Sequence, residues 1–373
     1  QGSPSRPAAA AELVSGEAGR EEGKKKNGVS NHSDSYDYHH KYGKNKASYF
    51  ERIATVPVFL NTDIDNETVA EIVSATRYGK TLVYTDSSLE AIGFVDISDP
   101  SDPQPAGIVE LEGEPTSVAV HNRYAIAGVV TDDTFTSPDG QLEIVDIHTR
   151  EIVRRINLGG QPDAIAISPD GRFAGVVIEN ERDEDLGDGR PGQPGNPPGK
   201  IVIVRLKGSP SNWTTRDVSL VGVSDKFPTD PEPEYIDINR FNIAVVSMQE
   251  DNHIVLIHLP SGRIINDFSA GTVDLTDIDT VEDGVINMVD SLEDVPREPD
   301  AISWIGDWRI GTADEGDLDG GSRGFSIFSP RGKVLFSSGN NDDHLMGMIG
   351  HYPEERSENK GNEAEGIEYA RYG

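Results

Sequence analysis

The chain has 373 residues, no cysteine and a formal net charge of -32, with an isoelectric point near 4.5. Disulfides, thiolate metal sites and cysteine nucleophiles are excluded, and a surface this acidic argues against nucleic acid, whose phosphates need Lys and Arg. No apolar run approaches the roughly 18 residues of a membrane span.

Residues 1–46 hold eight Lys and Arg against six Asp and Glu, are rich in Gly and Ser, and are nearly free of β-branched residues. They read as a flexible polar leader, in which the pair His39-His40 is a solvated feature before it is a metal site. The first residue is Gln rather than Met, so the chain is expected to be the mature part of an exported protein. Asn31, Asn66 and Asn212 head N-glycosylation triplets, which matter only in a source that glycosylates.

From residue 47 to 373 the texture is all-β. Short runs rich in Val, Ile and Thr, such as "TLVYTD", "AIGFVDI", "FAGVVIE" and "KIVIVRL", are bounded by Gly, Pro, Asp and Asn. The helices that an α/β fold needs between strands are missing; "TVAEIVSAT" comes nearest to a helical period. Units beginning at Ala70, Glu114, Gln161, Glu232, Glu298 and Asn362 share one frame. In each, a small polar or acidic residue opens a short strand, an Asn, Asp or Gly turn follows, and a second strand ends on acids. A third strand then alternates, and segments such as "DVSLVG" and "IINDFSAG" supply a fourth. Four strands at a spacing of roughly 45 to 70 residues predict a β-propeller, with about five complete blades and the start of another. The unit at Asn362 stops after one strand, so the last blade or blades are expected from a C-terminal remainder or a partner chain, because open sheet edges invite pairing.

In a propeller the first strand of each blade lines the central channel. The acid at its start recurs as Asp163, Glu234, Asp300 and Glu365, and acids ending the second strand are Glu179, Glu250 and Glu315. Both sets are expected at one channel mouth. Carboxylates packed together repel, so they take up protons or a cation; a hard cation with oxygen ligands, Ca²⁺ first, suits them. The competing reading is that they make turn and blade-to-blade hydrogen bonds. The loop "EGDLDGG" spaces Glu315, Asp317 and Asp319 two apart, as the first half of a calcium loop does, but Ser326 stands where an EF-hand has Glu. Glu181, Asp183 and Asp185, and Asp63, Asp65 and Glu67, repeat that spacing. "NDDHLMGMIGHYPEERSENKGNEAEG" reads as one loop carrying His344, His351, Arg356 and Lys360. Beside bound metal, His344, His351 and Arg356 are candidate catalytic groups for phosphoryl chemistry, where cations hold phosphate oxygens; an ordinary surface loop is the alternative.

Three stretches, "GQPDAIAISPDGR…IENERDEDLGDG", "VPREPDAISWIGD…TADEGDLDGGSRGFSIF" and "HYPEERSENKGNEAEGIEYARYG", resemble the choice-of-anchor I propellers. That group includes mesenchyme-specific cell surface glycoproteins and is similar to phytase-like esterases and atypical alkaline phosphatases. The resemblance runs from Tyr49 to Gly373. It implies a secreted or surface-anchored propeller of about seven blades in the complete protein. Asp163, Glu179, Asp300, Glu315, Asp317, Glu363 and Glu365 match its acidic patterns, with Ala364 where the family carries proline. The expected metal set is therefore Asp163, Glu179, Glu234, Glu250, Asp300, Glu315, Asp317, Asp319, Glu363 and Glu365. Two functions fit: an extracellular Ca²⁺-dependent phosphoester hydrolase, or a non-catalytic matrix, adhesion or mineral-associated protein that docks partner chains.

Overall fold

The computed structural model describes residues 51–182, 197–316, 318 and 320–371. The expected leader, Asn31, His39, His40, Asp183, Asp185, Asp317 and Asp319 lie outside them.

Five four-stranded antiparallel sheets follow one another along the chain. The first holds β1 (Ala70–Ala75), β2 (Thr81–Asp86), β3 (Ala91–Asp96) and β4 (Gln104–Glu110). The second holds β5 (Glu114–His121), β6 (Tyr124–Asp132), β7 (Asp139–Asp146) and β8 (Glu151–Asn157). The third holds β9 (Pro162–Ile167), β10 (Phe173–Ile178), β11 (Lys200–Arg205) and β12 (Thr214–Ser219). The fourth holds β13 (Ile236–Ile238), β14 (Ile243–Met248), β15 (His253–His258) and β16 (Arg263–Ser269). A two-stranded hairpin, β17 (Thr272–Ile278) with β18 (Asp290–Pro296), precedes the fifth sheet of β19 (Pro299–Ile305), β20 (Arg309–Asp314), β21 (Gly324–Phe328) and β22 (Val334–Ser337).

The burial along the strands explains how the sheets pack. Middle strands such as β3 and β10 are buried on both faces, whereas β4, β8 and β16 are mostly exposed or half-buried in alternation, with Ile156 of β8 buried. A strand covered on both faces reads as a continuous apolar run, and an outer strand as an alternation. Each hydrophobic core lies between two consecutive sheets. Val83, Ile92 and Phe94 of the first meet Val118, Ala127 and Val145 of the second. Ile126, Leu142 and Ile144 of the second meet Ala174, Val176 and Val202 of the third. The third packs on the fourth in the same way, and the fourth on the fifth. The first strands β1, β5, β9, β13 and β19 touch in that order. This is the β-propeller that the repeat predicts: no sheet buries its faces alone, and neighbours supply the cover.

Glycine recurs at one place in the second strand, as Gly128, Gly175 and Gly311. A Cβ at Gly128 would meet Ile165, one at Gly175 would meet Ile236, and one at Gly311 would meet Ile367. Ile165 and Ile236 belong to the first strand of the next blade, and each stands two residues after an acid, Asp163 or Glu234. Ile367 stands two after Glu365 and packs in the corresponding place. Residues 362–371 nonetheless form no strand, having no strand to pair with among the described residues.

Two elements differ from the sequence reading. The segment read as a loop around His344 contains a helix, α1 (Asn341–Ile349), closed by Gly350 in the left-handed conformation. Its apolar pattern is weak and Gly347 interrupts it, so tertiary contacts rather than periodicity hold it. The hairpin β17–β18 is also additional to the repeat frame. "TVAEIVSAT", the nearest stretch to a helical period, contains β1.

Candidate metal centre

The acids cluster because of how each first strand starts. Pro162, Pro233 and Pro299 immediately precede Asp163, Glu234 and Asp300. In four sheets the ladder between the first two strands is irregular at this place: between Ala70 and Val73, Pro115 and Ser117, Val176 and Ile178, and Pro299 and Ile302. Such bulges redirect a side chain out of the sheet's alternation. Glu179 follows β10 directly and Glu315 follows β20. Antiparallel order therefore puts strand starts and second-strand ends at one mouth of the channel.

Two triads result. Carboxylate oxygens of Asp163, Glu179 and Glu234 lie within 4.8 Å of one another, and so do those of Glu315, Glu363 and Glu365. Asp300 stands between the triads, since its carboxyl feels Glu315, Asp163 and Glu365. Asp163, Glu179, Glu234 and Asp300 are half-buried, on a wall with protein around most of each group. Burial pushes the Asp163 carboxyl up to about 7, with Glu181 adding repulsion. Burial also raises Glu179 and Glu234 well above the carboxylate range, and each repels the other and Asp163. Asp300 is pushed up to about 8 by burial and then by Glu315. Desolvation leads throughout, and like charge follows.

The two triads differ in their cations. Lys360 Nζ donates to Glu315 Oε1 at 2.7 Å and lies 3.6 Å from Glu363 Oε1. Arg356 Nε lies 3.4 Å from Glu363 Oε2, and Gln249 Nε2 donates to Glu315 Oε2. The loop carrying Lys360 is fixed from beneath by the fully buried Arg323, whose Nη1 lies 3.5 Å from Asp343. Asp343 Oδ1 in turn accepts the Asn362 N–H at 3.0 Å. Gly361, at φ +60, lies over the Arg323 side chain, where a Cβ would stand 2.6 Å from Arg323 Cδ; the close approach and the left-handed backbone both call for glycine. Against Asp163, Glu179 and Glu234, by contrast, no Lys or Arg of the described residues forms an ion pair.

Glu250 joins neither triad. Counting from Gly175, Val245 and Gly311 in register, the residue equivalent to Glu179 and Glu315 is Gln249. Glu250 is one place further and pairs with Arg182. That guanidinium also meets Glu232 and Asp230 and lies 4.1 Å from the centroid of the Phe227 ring. A repeat aligned on acids rather than on the glycine misses this one-residue shift.

The remaining candidates are dispersed. His344 Nε2, on α1, donates to the Asp277 carbonyl at 2.6 Å. His351 is exposed just past the helix, and its N–H caps the Met346 carbonyl at 2.9 Å. Arg356 alone of the three reaches a triad. In "TDIDNE", Asp63 Oδ1 accepts the Asp65 N–H at 3.2 Å, an ordinary local turn. Lys360 and Gln249 are the triad partners that a search for acids overlooks; Lys360 was visible only as one basic residue in a polar stretch.

Chemically, the bare triad fits a hard cation. Oxygens on one Ca²⁺ at 2.3–2.6 Å sit within about 5 Å of one another. A divalent ion also relieves repulsion that otherwise requires protonation. No curated protein matches the chain at significant similarity. Among solved structures, Kuenenia stuttgartiensis hydrazine synthase matches over 71% of this chain and 84% of its own, at 9% identity and a TM-score of 0.40. The choice-of-anchor I domain model matches residues 71–320. With more than half of its length matched, the chain belongs to the choice-of-anchor I domain family.

Proposed function

We propose that this protein is an extracellular or cell-surface β-propeller that binds Ca²⁺ at the acidic mouth of its channel, through Asp163, Glu179 and Glu234 with Asp300 beside them. One observation carries the reading: three half-buried carboxylates converge within 4.8 Å with no ion-paired Lys or Arg among the described residues. Family membership supports the extracellular setting. Calcium titration followed by calorimetry tests it. One tight site on the intact chain, lost in Glu179→Gln, is expected; no calcium heat, with the melting temperature unmoved by chelation, overturns it.

A second reading adds phosphoester hydrolysis, supported by Arg356 and Lys360 at the neighbouring triad. A bound cation would polarise the phosphoryl group and acidify a water, while the two basic side chains would offer charge to its oxygens. His344, held by a backbone carbonyl, has no part in this version. Hydrolysis of a generic aryl phosphate that stops on chelation and returns with Ca²⁺ is expected. Unchanged background hydrolysis in both states leaves the non-catalytic matrix or mineral-binding role.

A further inference from the structure

The face opposite the acidic mouth has a different chemistry. The turns joining first to second strands and third to fourth strands lie there, and they carry Arg77, Lys80, Arg123, Arg150, Arg172 and Arg240. Four of these line one cavity of about 630 Å³ between the first and second sheets, together with Tyr78 and His148. This size is that of a small-molecule site, typically about 300–1,000 Å³.

Not all of this positive charge is cancelled. Arg123 pairs with Asp146. Asp96 lines the same cavity and offsets part of the Lys80 charge. Arg77 and Lys80 form no ion pair among the described residues. Arg150 is the telling member. Its guanidinium stacks 3.4 Å from the centroid of Phe94, its Nη2 reaches the Ala106 carbonyl at 3.4 Å, and its Nη1 is buried without a hydrogen-bond partner. A partly desolvated cation without a counter-ion is costly, and an anion in the cavity would offset that cost through the charge of the guanidinium as a whole rather than by contact with the buried Nη1. The acids of the other mouth do not substitute, because exposed charges further apart than about 8 Å are largely screened at physiological ionic strength. Tyr78, 81% exposed, offers an aromatic face at the rim, and Thr81, Ser98 and Asn122 add neutral hydrogen-bonding groups.

We infer that this cavity binds a sugar carrying a sulfate or phosphate ester, with Arg77, Lys80 and Arg150 holding the oxyanion and Tyr78 the ring. The test is calorimetric titration of the full chain, in chelator, with glucose 6-sulfate and glucose 6-phosphate, against glucose and inorganic sulfate. Chelator keeps any bound calcium from bridging the ester at the other mouth. Both esters are expected to bind, more weakly as salt rises, and the tighter one names the oxyanion. The double variant Arg77→Gln/Lys80→Gln, at two exposed positions, is expected to keep its melting temperature and lose affinity at least tenfold. Esters binding no better than glucose, inorganic sulfate binding as tightly as the esters, or unchanged affinity in the double variant would each overturn the proposal.

Discussion

Two triads of carboxylates stand at one mouth of the same channel, sharing two equivalent positions of the repeat (Glu179 with Glu315, Glu234 with Glu365) and differing in the third, Asp163 or Glu363, and they solve one electrostatic problem in two ways. Glu315, Glu363 and Glu365 receive an ammonium from the chain itself, through Lys360. Asp163, Glu179 and Glu234 receive none, and burial and mutual repulsion push all three upward. An acidic cluster is thus not one kind of object. Filled internally it ties a loop to the propeller; left open it demands protons or an external cation.

Breaking the filled triad should cost most. Lys360→Met removes the ammonium and leaves Glu315, 7% exposed, uncompensated. A loss of about 3 kcal/mol in urea unfolding at neutral pH is expected, the usual cost of orphaning a buried charge. The same variant should gain calcium stoichiometry, since the second triad then resembles the first. Unchanged stability and unchanged stoichiometry would abolish the distinction between the triads.

Loading the open triad comes next. At a free calcium concentration about a hundred times Kd, binding to the native state adds about 2.7 kcal/mol, read as a rise in melting temperature over chelated protein. Glu179→Gln should remove most of that rise while making the chelated protein somewhat more stable, because a buried group whose ionisation burial opposes is gone. A variant that is less stable in chelator would instead mark Glu179 as a structural hydrogen-bond partner.

The pH dependence sharpens the same contrast. Asp163 and Asp300 have native values raised to about 7 and about 8, far above about 3.9 in the unfolded chain. Unfolding therefore releases protons over this range. Their contribution is fully present below the unfolded value and is lost as pH rises through the native ones. In chelator, the melting temperature should fall between about pH 5 and 8; with saturating calcium the fall should flatten, and calcium binding should release protons. A chelated protein that gains stability across this window would contradict the electrostatic picture.

The smallest change is Gln249→Glu, which places an acid where β10 and β20 are followed by one. It replaces a donor to Glu315 with a repelling charge, so a loss of about 1 kcal/mol is expected. Glu250→Gln should behave differently, since it weakens the Arg182 cluster and leaves calcium affinity unchanged.

Much of this was legible locally. Strands show as alternating or continuous apolar runs because side chains point to opposite faces every second residue. The acid before a first strand shows because its proline marks the strand start. The shift from Glu250 to Gln249 was not legible by counting acids; the glycine at the blade contact is the better ruler, since packing against the next strand constrains it. The helix α1 was hidden because Arg323 and Asp343, rather than an apolar stripe, anchor it.

The amino-acid sequence by itself therefore determined the repeat, the all-β blades and the acids at one end of each, all of which follow from local period and neighbouring residues. Only the tertiary structure decided which acids meet, and which of the meetings keeps its charge. Glu315 and Lys360 are 45 positions apart; Asp163 lies in β9, Glu179 just after β10 of the same sheet, and Glu234 just before β13 of the next sheet. Coulomb energy depends on distance through space and on the water left between charges. Neither can be read along a chain.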